Sequence, residues 1–359
     1  MGKKHYIIPV FVPHKGCPYD CVFCNQKKIT GQKEEISAQK VDQQIRQYLS
    51  TMSEKKDLDV EVAFYGGSFT GIEQHRQAEL LAVAQKWKKR GVIKDVRIST
   101  RPDYIDQSIL SFLTSFGVTI IELGVQSMDI GILETSCRGH SPRDVILASK
   151  AIQEKGIFLG HQIMIGLPGD TMDTLMNTAD AIVDLKPDFV RIYPTLVIKD
   201  THLEMMYLNK SYQPMTLEDA IIAAKNLMLK FLKYDIPVIR LGLQPTEDIT
   251  LGKEVIAGPI HPSFRQLVEG EIYRNMLEII FKKLRLEKNE HIEIQGNDGS
   301  ISPLVGQSRR NIKYLQKEFQ LKKITIRRNN NLEKGTIVVQ KNSNMLFTYS
   351  MKEYASNTI

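Results

Sequence analysis

The chain is poor in cysteine and tryptophan, with four cysteines and one tryptophan among 359 residues. It also has no run of about 18 apolar residues, the length that a helix needs to cross a bilayer. Three of the four cysteines fall within residues 17–24, which is a poor disulfide framework for a chain of this size. This cysteine usage argues against a disulfide-stabilised secreted domain, and crowded thiols favour a metal site.

The apolar run from Tyr6 to Val12 is too short for a secretory signal and has no small-residue cleavage site after it. We therefore expect a cytoplasmic protein with no membrane partner. The 42% hydrophobic content is enough for a sizeable core.

Short β-rich runs alternate with amphipathic stretches over the first 285 residues, which is typical of repeated βα units around a parallel sheet. We predict an α/β fold in which residues 1–285 form a partial (β/α) TIM-like barrel. The pattern changes at 286–359, where we predict a small basic α+β domain. The predicted barrel strands are YIIPVFVP, VEVAFYGG, DVRISTRP, VTIIELGVQS, LGHQIMIGLPG, FVRIYPTLV and IPVIRLGL.

The formal net charge of +7 is concentrated in one region. Residues 281–330 hold 12 Lys or Arg against 5 Asp or Glu, so the rest of the chain is balanced. This distribution favours a polyanionic partner in the C-terminal part, although a solvated charged face is the alternative interpretation.

Cys17, Cys21 and Cys24 have the spacing C-x3-C-x2-C in GCPYDCVFCNQ. Three thiolates from one loop can bind three irons of a [4Fe-4S] cluster and leave the fourth iron open. S-adenosylmethionine (SAM) can chelate that iron, and an electron from the cluster can then cleave SAM to a 5′-deoxyadenosyl radical. A zinc ribbon would need a second C-x2-C pair, which the sequence lacks. We interpret the distant Cys137 as a packed small residue.

An ordered series of further motifs follows the cysteines. Together they resemble the radical SAM core of the Elongator catalytic subunit and its short bacterial relatives, over residues 6–265. The motifs are YGGSFTG (65–71), RISTRPD (97–103), ELGVQS (122–127), RGH (138–140), IMIGLPGDT (163–171), RIYPTLVI (191–198) and RLGLQPTED (240–248).

The resemblance implies a SAM site with named contacts, each of which has a plainer structural alternative such as a strand end, a turn or an ion pair. His140, His161 and Tyr193 are the candidates for catalytic polar groups facing a substrate, with a core role as the alternative. The implied SAM contacts are Phe23 against adenine, Gly66, Gly67 and Ser68, then Ser99 and Arg101 near the ribose or carboxylate, and Gln126 and Ser127.

The sequence also departs from Elongator. Its first two cluster cysteines are closer together, and the region after Glu287 is too short for an acetyltransferase domain, so acetyl-CoA chemistry does not carry over. A second cluster would need three or four more cysteines, which disfavours methylthiolation and sulfur insertion. No region is left for a cobalamin domain, and Cys137 alone cannot supply the two extra cysteines needed for radical methylation of adenine.

In the C-terminal part, LVGQSRRNIKYLQKEF faintly resembles a KH module, whose G-x-x-G turn clamps single-stranded nucleic acid. The turn would run from Gly306 to Arg309, with arginine in place of the second glycine. Arg309, Arg310, Lys313 and Lys317 would suit phosphate contact. A plain basic helix, or a domain that caps the barrel, is the alternative.

Three hypotheses follow. We favour a radical SAM enzyme that modifies RNA, most simply tRNA, with electrons from a reductant such as flavodoxin or ferredoxin. The second is a radical SAM enzyme acting on a small molecule such as a tetrapyrrole, which predicts little RNA affinity. The third is a non-catalytic iron-sulfur sensor, which predicts poor SAM binding.

Overall fold

The structure is a computed structural model that describes residues 4–12, 21–25, 36–52, 58–243, 250–341 and 345–359. Its strands are β1 (Lys4–Val12), β2 (Leu58–Gly66), β3 (Asp95–Thr100), β4 (Ile120–Gln126), β5 (Phe158–Ile165), β6 (Phe189–Pro194), β7 (Val197–Ile198), β8 (Val238–Leu241), β9 (Val255–Ala257), β10 (His291–Gly296), β11 (Lys323–Arg328), β12 (Thr336–Lys341) and β13 (Met345–Ser350). Its helices are α1 (Ala38–Thr51), α2 (Gln74–Lys89), α3 (Gln107–Ser115), α4 (Ile130–Thr135), α5 (Pro142–Glu154), α6 (Met172–Leu185), α7 (His202–Leu208), α8 (Leu217–Lys233), α9 (Phe264–Lys283), α10 (Asp298–Val305), α11 (Arg310–Glu318) and α12 (Met351–Thr358).

The chain divides into two compact units, which we describe separately. The first unit holds residues 1–215 and 245–259, and the second holds 216–244 and 260–359. The predicted boundary at 285 therefore falls inside the second unit. The physical reason is that α8 and α9 pack with the C-terminal helices α10 and α12.

The first unit is built on parallel strands that lie side by side in chain order from β1 to β6. Helices connect each strand to the next, because parallel neighbours need a crossover of a dozen or more residues. The arrangement is a curled, partial TIM-like barrel of the radical SAM type, as the alternating sequence pattern predicts. A short antiparallel pair of β7 and β9 accompanies the sheet.

The two faces of the parallel sheet differ in chemistry. The face that packs on the helices is apolar, with Val62, Ile98, Leu123 and Val190 fully buried. The opposite face carries acidic and basic side chains in the middle of four strands, namely Glu61, Arg97, Glu122 and Arg191, all buried or nearly so. The charged residues therefore line the inside of the half-barrel.

Side-chain caps fix where the helices start. Helix α5 begins at a capping box in which Ser141 and Asp144 satisfy each other's backbone amides, with Pro142 in the first turn. Helix α6 begins with Thr171 as its N-cap in the same way. Thr171 therefore ends the loop that follows β5, and Ser141 ends the loop that joins α4 to α5.

The second unit contains a four-stranded mixed sheet in the order β11-β10-β12-β13. The side-chain amide of Asn311 in α11 is buried and donates to the carbonyl oxygens of Gly270 at 2.8 Å and of Pro303 and Leu304 at 3.2 Å. This amide joins α9, α10 and α11, and it explains why α9 belongs to this unit. The α+β character predicted for the C-terminal part is confirmed. No helix in the described part of the chain is long and apolar enough to span a membrane.

Candidate active site

The described cysteine segment, residues 21–25, is held from two sides by backbone hydrogen bonds. The Val22 amide donates to the Ser136 carbonyl oxygen at 3.2 Å, and the Leu203 amide donates to the Val22 carbonyl oxygen at 2.7 Å. Within the segment, the Cys24 amide donates to the Cys21 carbonyl oxygen at 2.9 Å. Cys21 is buried and Cys24 is half-buried. Cys17, the first predicted cluster ligand, lies outside the described residues.

Phe23 is half-buried and packs against an apolar cluster of Val22, Val197, Leu203 and Tyr212. Its ring therefore has an apolar environment beside the two described cysteines. Its contact with adenine stays a prediction.

Gly66 and Gly67 lie where β2 ends, next to the end of β1. Gly66 has φ of +111°, and a Cβ at this position would lie 2.3 Å from the Val12 carbonyl oxygen. The Gly67 amide donates to that same oxygen at 3.2 Å. Only glycine fits this approach. In the sequence, Val12 precedes the segment that carries Cys17.

Ser68 links the ends of β2 and β3. Its hydroxyl lies 2.8 Å from the Thr100 hydroxyl and accepts from the Arg101 amide at 3.2 Å. The buried Arg101 guanidinium forms two hydrogen bonds of 2.9 Å to Asp103, and the Ser99 hydroxyl lies 3.4 Å from Glu122 Oε2. These contacts order the carboxyl edge of the sheet, and contacts of the same residues with SAM stay predictions.

Gln126 ends β4 in a left-handed conformation with φ of +67°. The register of β4 against β5 shifts between Gly124 and Gln126, as at a β-bulge. The Gln126 side chain is buried, and its Oε1 has no hydrogen-bond partner among the described residues. An unpaired buried acceptor at a strand end fits a ligand that supplies a donor. The neighbouring Ser127 hydroxyl instead accepts from the Asp129 amide at 3.1 Å.

The RGH motif binds two consecutive carbonyl oxygens of this bulge. Arg138 Nη2 donates to the Gly124 carbonyl oxygen at 2.6 Å, and His140 Nε2 donates to the Val125 carbonyl oxygen at 3.1 Å. Burial, and then the charges of Arg138 and Arg101, lower the pKa of His140 to about 3, so its ring is neutral near pH 7. The motif therefore fixes the backbone that positions Gln126.

His161 lies on the other face of the sheet from Tyr193. In the parallel register it is level with Leu123 and Val190, on the helix-facing side, and its Nε2 lies 2.9 Å from the Ser149 hydroxyl of α5. The structure thus places this candidate in the core between sheet and helix. It does not bring His140, His161 and Tyr193 together.

Inside the half-barrel, two carboxylates and two guanidiniums form a chain. Arg97 donates to both Glu61 and Glu122, with Nη2 at 2.8 Å from Glu61 Oε2. Arg191 Nε lies 2.9 Å from Glu122 Oε1. Gly160 leaves room for this chain, because a Cβ there would lie 2.3 Å from the Phe189 ring and 3.1 Å from Glu122 Cγ.

Two tyrosines extend this chain of charges. Arg191 Nη2 donates to the Tyr65 hydroxyl at 2.7 Å, and Nη1 donates to the Tyr193 hydroxyl at 3.3 Å. Burial, reinforced by the Glu122 charge, raises the pKa of Tyr65, so its phenol is neutral. Tyr193 is thus held by the charged chain, and it is the one catalytic candidate on this face among the three predicted.

The four predicted nucleic-acid residues lie in the second unit. Arg309, Arg310, Lys313 and Lys317 are all exposed, while Asn311, Ile312 and Leu315 form the buried side of α11. Ser308 and Arg309 both have left-handed backbones, with φ of +50° and +61°. Arg309 therefore adopts a conformation that favours glycine, at the position where the G-x-x-G pattern has its second glycine.

Sequence reasoning missed two features of the first unit, the role of Arg138 and the charged chain. A signal for the second was present, because each charge stands alone in an apolar strand pattern, as in VEVAF and IIELGV. No local signal could pair Arg138 with a cysteine 117 positions away.

Two family models match the chain. The model described as Radical SAM superfamily covers residues 11–182, and the one described as Radical_SAM C-terminal domain covers residues 187–274. The chain belongs to the radical SAM superfamily. It is a radical SAM enzyme, and the cofactors of this family are a [4Fe-4S] cluster and SAM.

Similar proteins include relatives of Elongator. An uncharacterized protein of Methanocaldococcus jannaschii is 30% identical over 246 residues, which cover 66% of this chain and 74% of the relative. The tRNA uridine(34) acetyltransferases of M. jannaschii and Methanocaldococcus infernus are 37% and 28% identical, over 38% and 63% of this chain. The chain spans only 26% and 50% of those two enzymes.

A solved structure of archaeal Elp3 from M. infernus, with an N-terminal deletion, has the same fold. Its TM-score is 0.54 at 21% identity, covering 79% of this chain and 64% of that chain. Together with the family models and the similar tRNA uridine(34) acetyltransferases, this shared fold confirms the resemblance to the Elongator radical SAM core.

The described residues fit the cofactors of this family. Cys21 and Cys24 provide thiols in one tight turn, and a buried guanidinium lies 3.4 Å from Cys21 Sγ. Gly66 permits a close backbone approach, and Gln126 offers an unpaired acceptor. Cysteine ligands, a compensating cation and one unpaired acceptor suit an anionic iron-sulfur cluster with a polar ligand beside it.

Proposed function

We propose that this enzyme binds one [4Fe-4S] cluster through Cys17, Cys21 and Cys24, cleaves SAM reductively and acts on RNA, with tRNA as the substrate class. The observation that carries the first part is the Cys21 to Cys24 turn, closed by its 2.9 Å backbone hydrogen bond and held by the Ser136 and Leu203 backbones. An external one-electron donor such as flavodoxin or ferredoxin would supply the reducing equivalent.

When bound, the cluster supplies the electron that splits SAM into methionine and a 5′-deoxyadenosyl radical. The residues of this chain would bind and orient the cofactor. The Gly67 amide is already engaged by Val12, so a ligand amino group would meet carbonyl oxygens at the Gly-Gly pair. The left-handed Gln126 would present its unpaired Oε1 to a donor of the ligand.

Tyr193 supports a substrate position inside the half-barrel. Its hydroxyl accepts from Arg191, whose charge is balanced by Glu122, so the phenol is held in one place. A hydroxyl fixed in this way can orient a bound group by hydrogen bonding at little entropic cost. The neutral His140 would act indirectly, through the Val125 carbonyl oxygen.

The RNA part of the proposal is supported by three observations. Three relatives are named for tRNA uridine(34), although this chain spans half of their length or less. The excess positive charge of the chain falls between residues 281 and 330. Arg310, Lys313 and Lys317 project from the exposed side of α11, at a spacing suited to successive phosphates.

SAM cleavage is tested anaerobically with the full chain, reconstituted with iron and sulfide and reduced with dithionite. We expect 5′-deoxyadenosine from wild type, more of it with bulk tRNA, and none from Cys21→Ala. A full cluster without any cleavage would contradict the enzymatic proposal and favour the sensor hypothesis. Cleavage that tRNA does not stimulate would contradict the RNA substrate and direct the search to small-molecule extracts.

RNA binding is tested with the triple variant Arg310→Gln, Lys313→Gln and Lys317→Gln. We expect at least about tenfold weaker tRNA binding and a salt slope smaller by about 2, since each phosphate contact contributes about 0.7 to 0.9. The matched control removes three exposed lysines of the first unit, by Lys86→Gln, Lys89→Gln and Lys150→Gln. Equal affinities for the two triple variants would contradict the assignment of α11 as the RNA contact.

A further inference from the structure

Arg138 is a buried cation that touches a predicted cluster ligand. Its Nη1 donates to Cys21 Sγ at 3.4 Å, and its Nη2 donates to the Gly124 carbonyl oxygen at 2.6 Å. The residue is 8% exposed, and its Nε has no hydrogen-bond partner among the described residues. One guanidinium therefore connects the cysteine turn with the bulge at the end of β4.

Further contacts hold the segment that carries Arg138 in place. Its amide donates to the Leu133 carbonyl oxygen at 2.9 Å, which closes helix α4. A Cβ on Gly124 would lie 2.8 Å from Arg138 Nη2, so a larger residue there would displace the guanidinium. The Ser136 carbonyl oxygen, two residues earlier, accepts from Val22 next to Cys21. The segment that carries Arg138 thus also anchors the cysteine turn.

The charge of Arg138 lacks a carboxylate partner within the described part of the chain, since none of the ion pairs there includes it. A buried charge without a counter-charge is strongly unfavourable, so buried charges are normally paired. Cys21 Sγ is the group that faces it. A cluster with three thiolate ligands carries negative charge on that sulfur, and it would provide the missing anion.

We infer that Arg138 is a positioning residue for the iron-sulfur cluster, which donates a charged hydrogen bond to the Cys21 sulfur and raises the reduction potential of the cluster. A nearby cation and a hydrogen bond to sulfur both stabilise the reduced state, which carries one more negative charge. Through Gly124, the same guanidinium fixes the bulge that presents Gln126. This inference rests on the cluster assignment of the proposed function and not on its RNA substrate.

The experiment is an EPR-monitored redox titration of the reconstituted full chain without SAM or RNA, with iron and sulfide counted for each sample. The variants are Arg138→Gln, which removes the charge, and Arg138→Lys, which keeps it. Arg143→Gln, an exposed arginine at the start of α5, is the matched control. If wild type did not bind a cluster, the cluster assignment of the proposed function would be refuted, independently of the result for the Arg138 variants.

For Arg138→Gln we expect about a tenfold smaller equilibrium constant for cluster reduction, which is about 59 mV for a one-electron couple. Arg138→Lys and Arg143→Gln should stay within about threefold of wild type. An unchanged potential in Arg138→Gln with full cluster occupancy would overturn the inference. If Arg138→Gln does not hold a cluster, a loaded Arg138→Lys with near wild-type potential supports it, and loss of the cluster from both variants overturns it.

Discussion

The hydroxyl of Ser149 lies 2.9 Å from Nε2 of His161, and both side chains are completely buried. The contact joins helix α5 to strand β5 on the apolar side of the sheet. Burial lowers the pKa of His161 to about 3, so the ring is neutral when the protein is folded near pH 7. Protonation of this ring therefore opposes folding.

The first prediction concerns the pH dependence of stability in His161→Gln. In the unfolded chain the imidazole has its ordinary pKa of 6.5, whereas in the folded protein its pKa is about 3. Between these two pH values only the unfolded state binds the proton, which favours unfolding. Wild type should lose about 1.4 kcal/mol from this residue between pH 7.5 and 5.5. His161→Gln has no imidazole to titrate, so it should not show this loss. The difference in unfolding free energy between wild type and His161→Gln should therefore shrink by the same amount from pH 7.5 to 5.5, as measured by urea unfolding.

The control for this experiment is His75→Gln, because the side chain of His75 is 65% exposed at the start of α2. An identical deficit of His161→Gln at both pH values would show that the imidazole titrates alike in the folded and unfolded states. That result would contradict the buried position of the His161 side chain.

The second prediction concerns Glu122, which pairs with both Arg97 and Arg191 inside the half-barrel. Glu122→Gln should leave the two buried guanidiniums with Glu61 as their remaining carboxylate, at a cost of about 3–5 kcal/mol in unfolding free energy. Urea unfolding of the chain without cofactors measures this loss. This loss measures the cost of leaving buried charges without a partner. It does not measure a net stabilisation by the intact chain of charges, because burying those ions also costs desolvation energy.

Glu79→Gln is the matched control, because Glu79 forms an ion pair with Arg76 at the surface of α2. Its loss should cost less than about 1 kcal/mol. If Glu122→Gln cost no more than Glu79→Gln, the four charges would be solvated and not a buried chain.

The alternation of strands and helices was sufficient to predict the half-barrel, because each βα unit has a recognisable local sequence pattern. The face to which a residue of β5 points was not predictable in this way. Both sides of a covered parallel strand are largely buried, so LGHQIMI lacks the polar and apolar alternation that would place His161 on one side. The sequence also did not predict which unit contains α9. The apolar residues of this helix indicate that it packs in a core but not which elements it packs against. They include Val268, Ile272, Met276 and Ile280.

The third prediction compares two glycine-to-alanine substitutions, at Gly66 and at Gly91, which differ in the space available for a Cβ. Gly66→Ala puts a Cβ 2.3 Å from the Val12 carbonyl oxygen at φ of +111°, whereas Gly91→Ala, at φ of +71°, meets nothing within 4 Å. Gly91→Ala should cost about 1 kcal/mol for its left-handed backbone alone. Gly66→Ala should cost about 1–3 kcal/mol more, because β1 and β2 must move apart at their carboxyl ends.

Because Val12 is covalently joined to the chain that leads to Cys17, the first proposed cluster ligand, we expect the change to affect cluster binding. Gly66→Ala should therefore also bind less iron after reconstitution than Gly91→Ala, measured as iron per chain on samples that remain folded by circular dichroism. Equal stability losses in the two variants would contradict the close approach of the Val12 carbonyl oxygen. Equal iron contents would show that the cysteine segment takes its position from the Ser136 and Leu203 contacts alone.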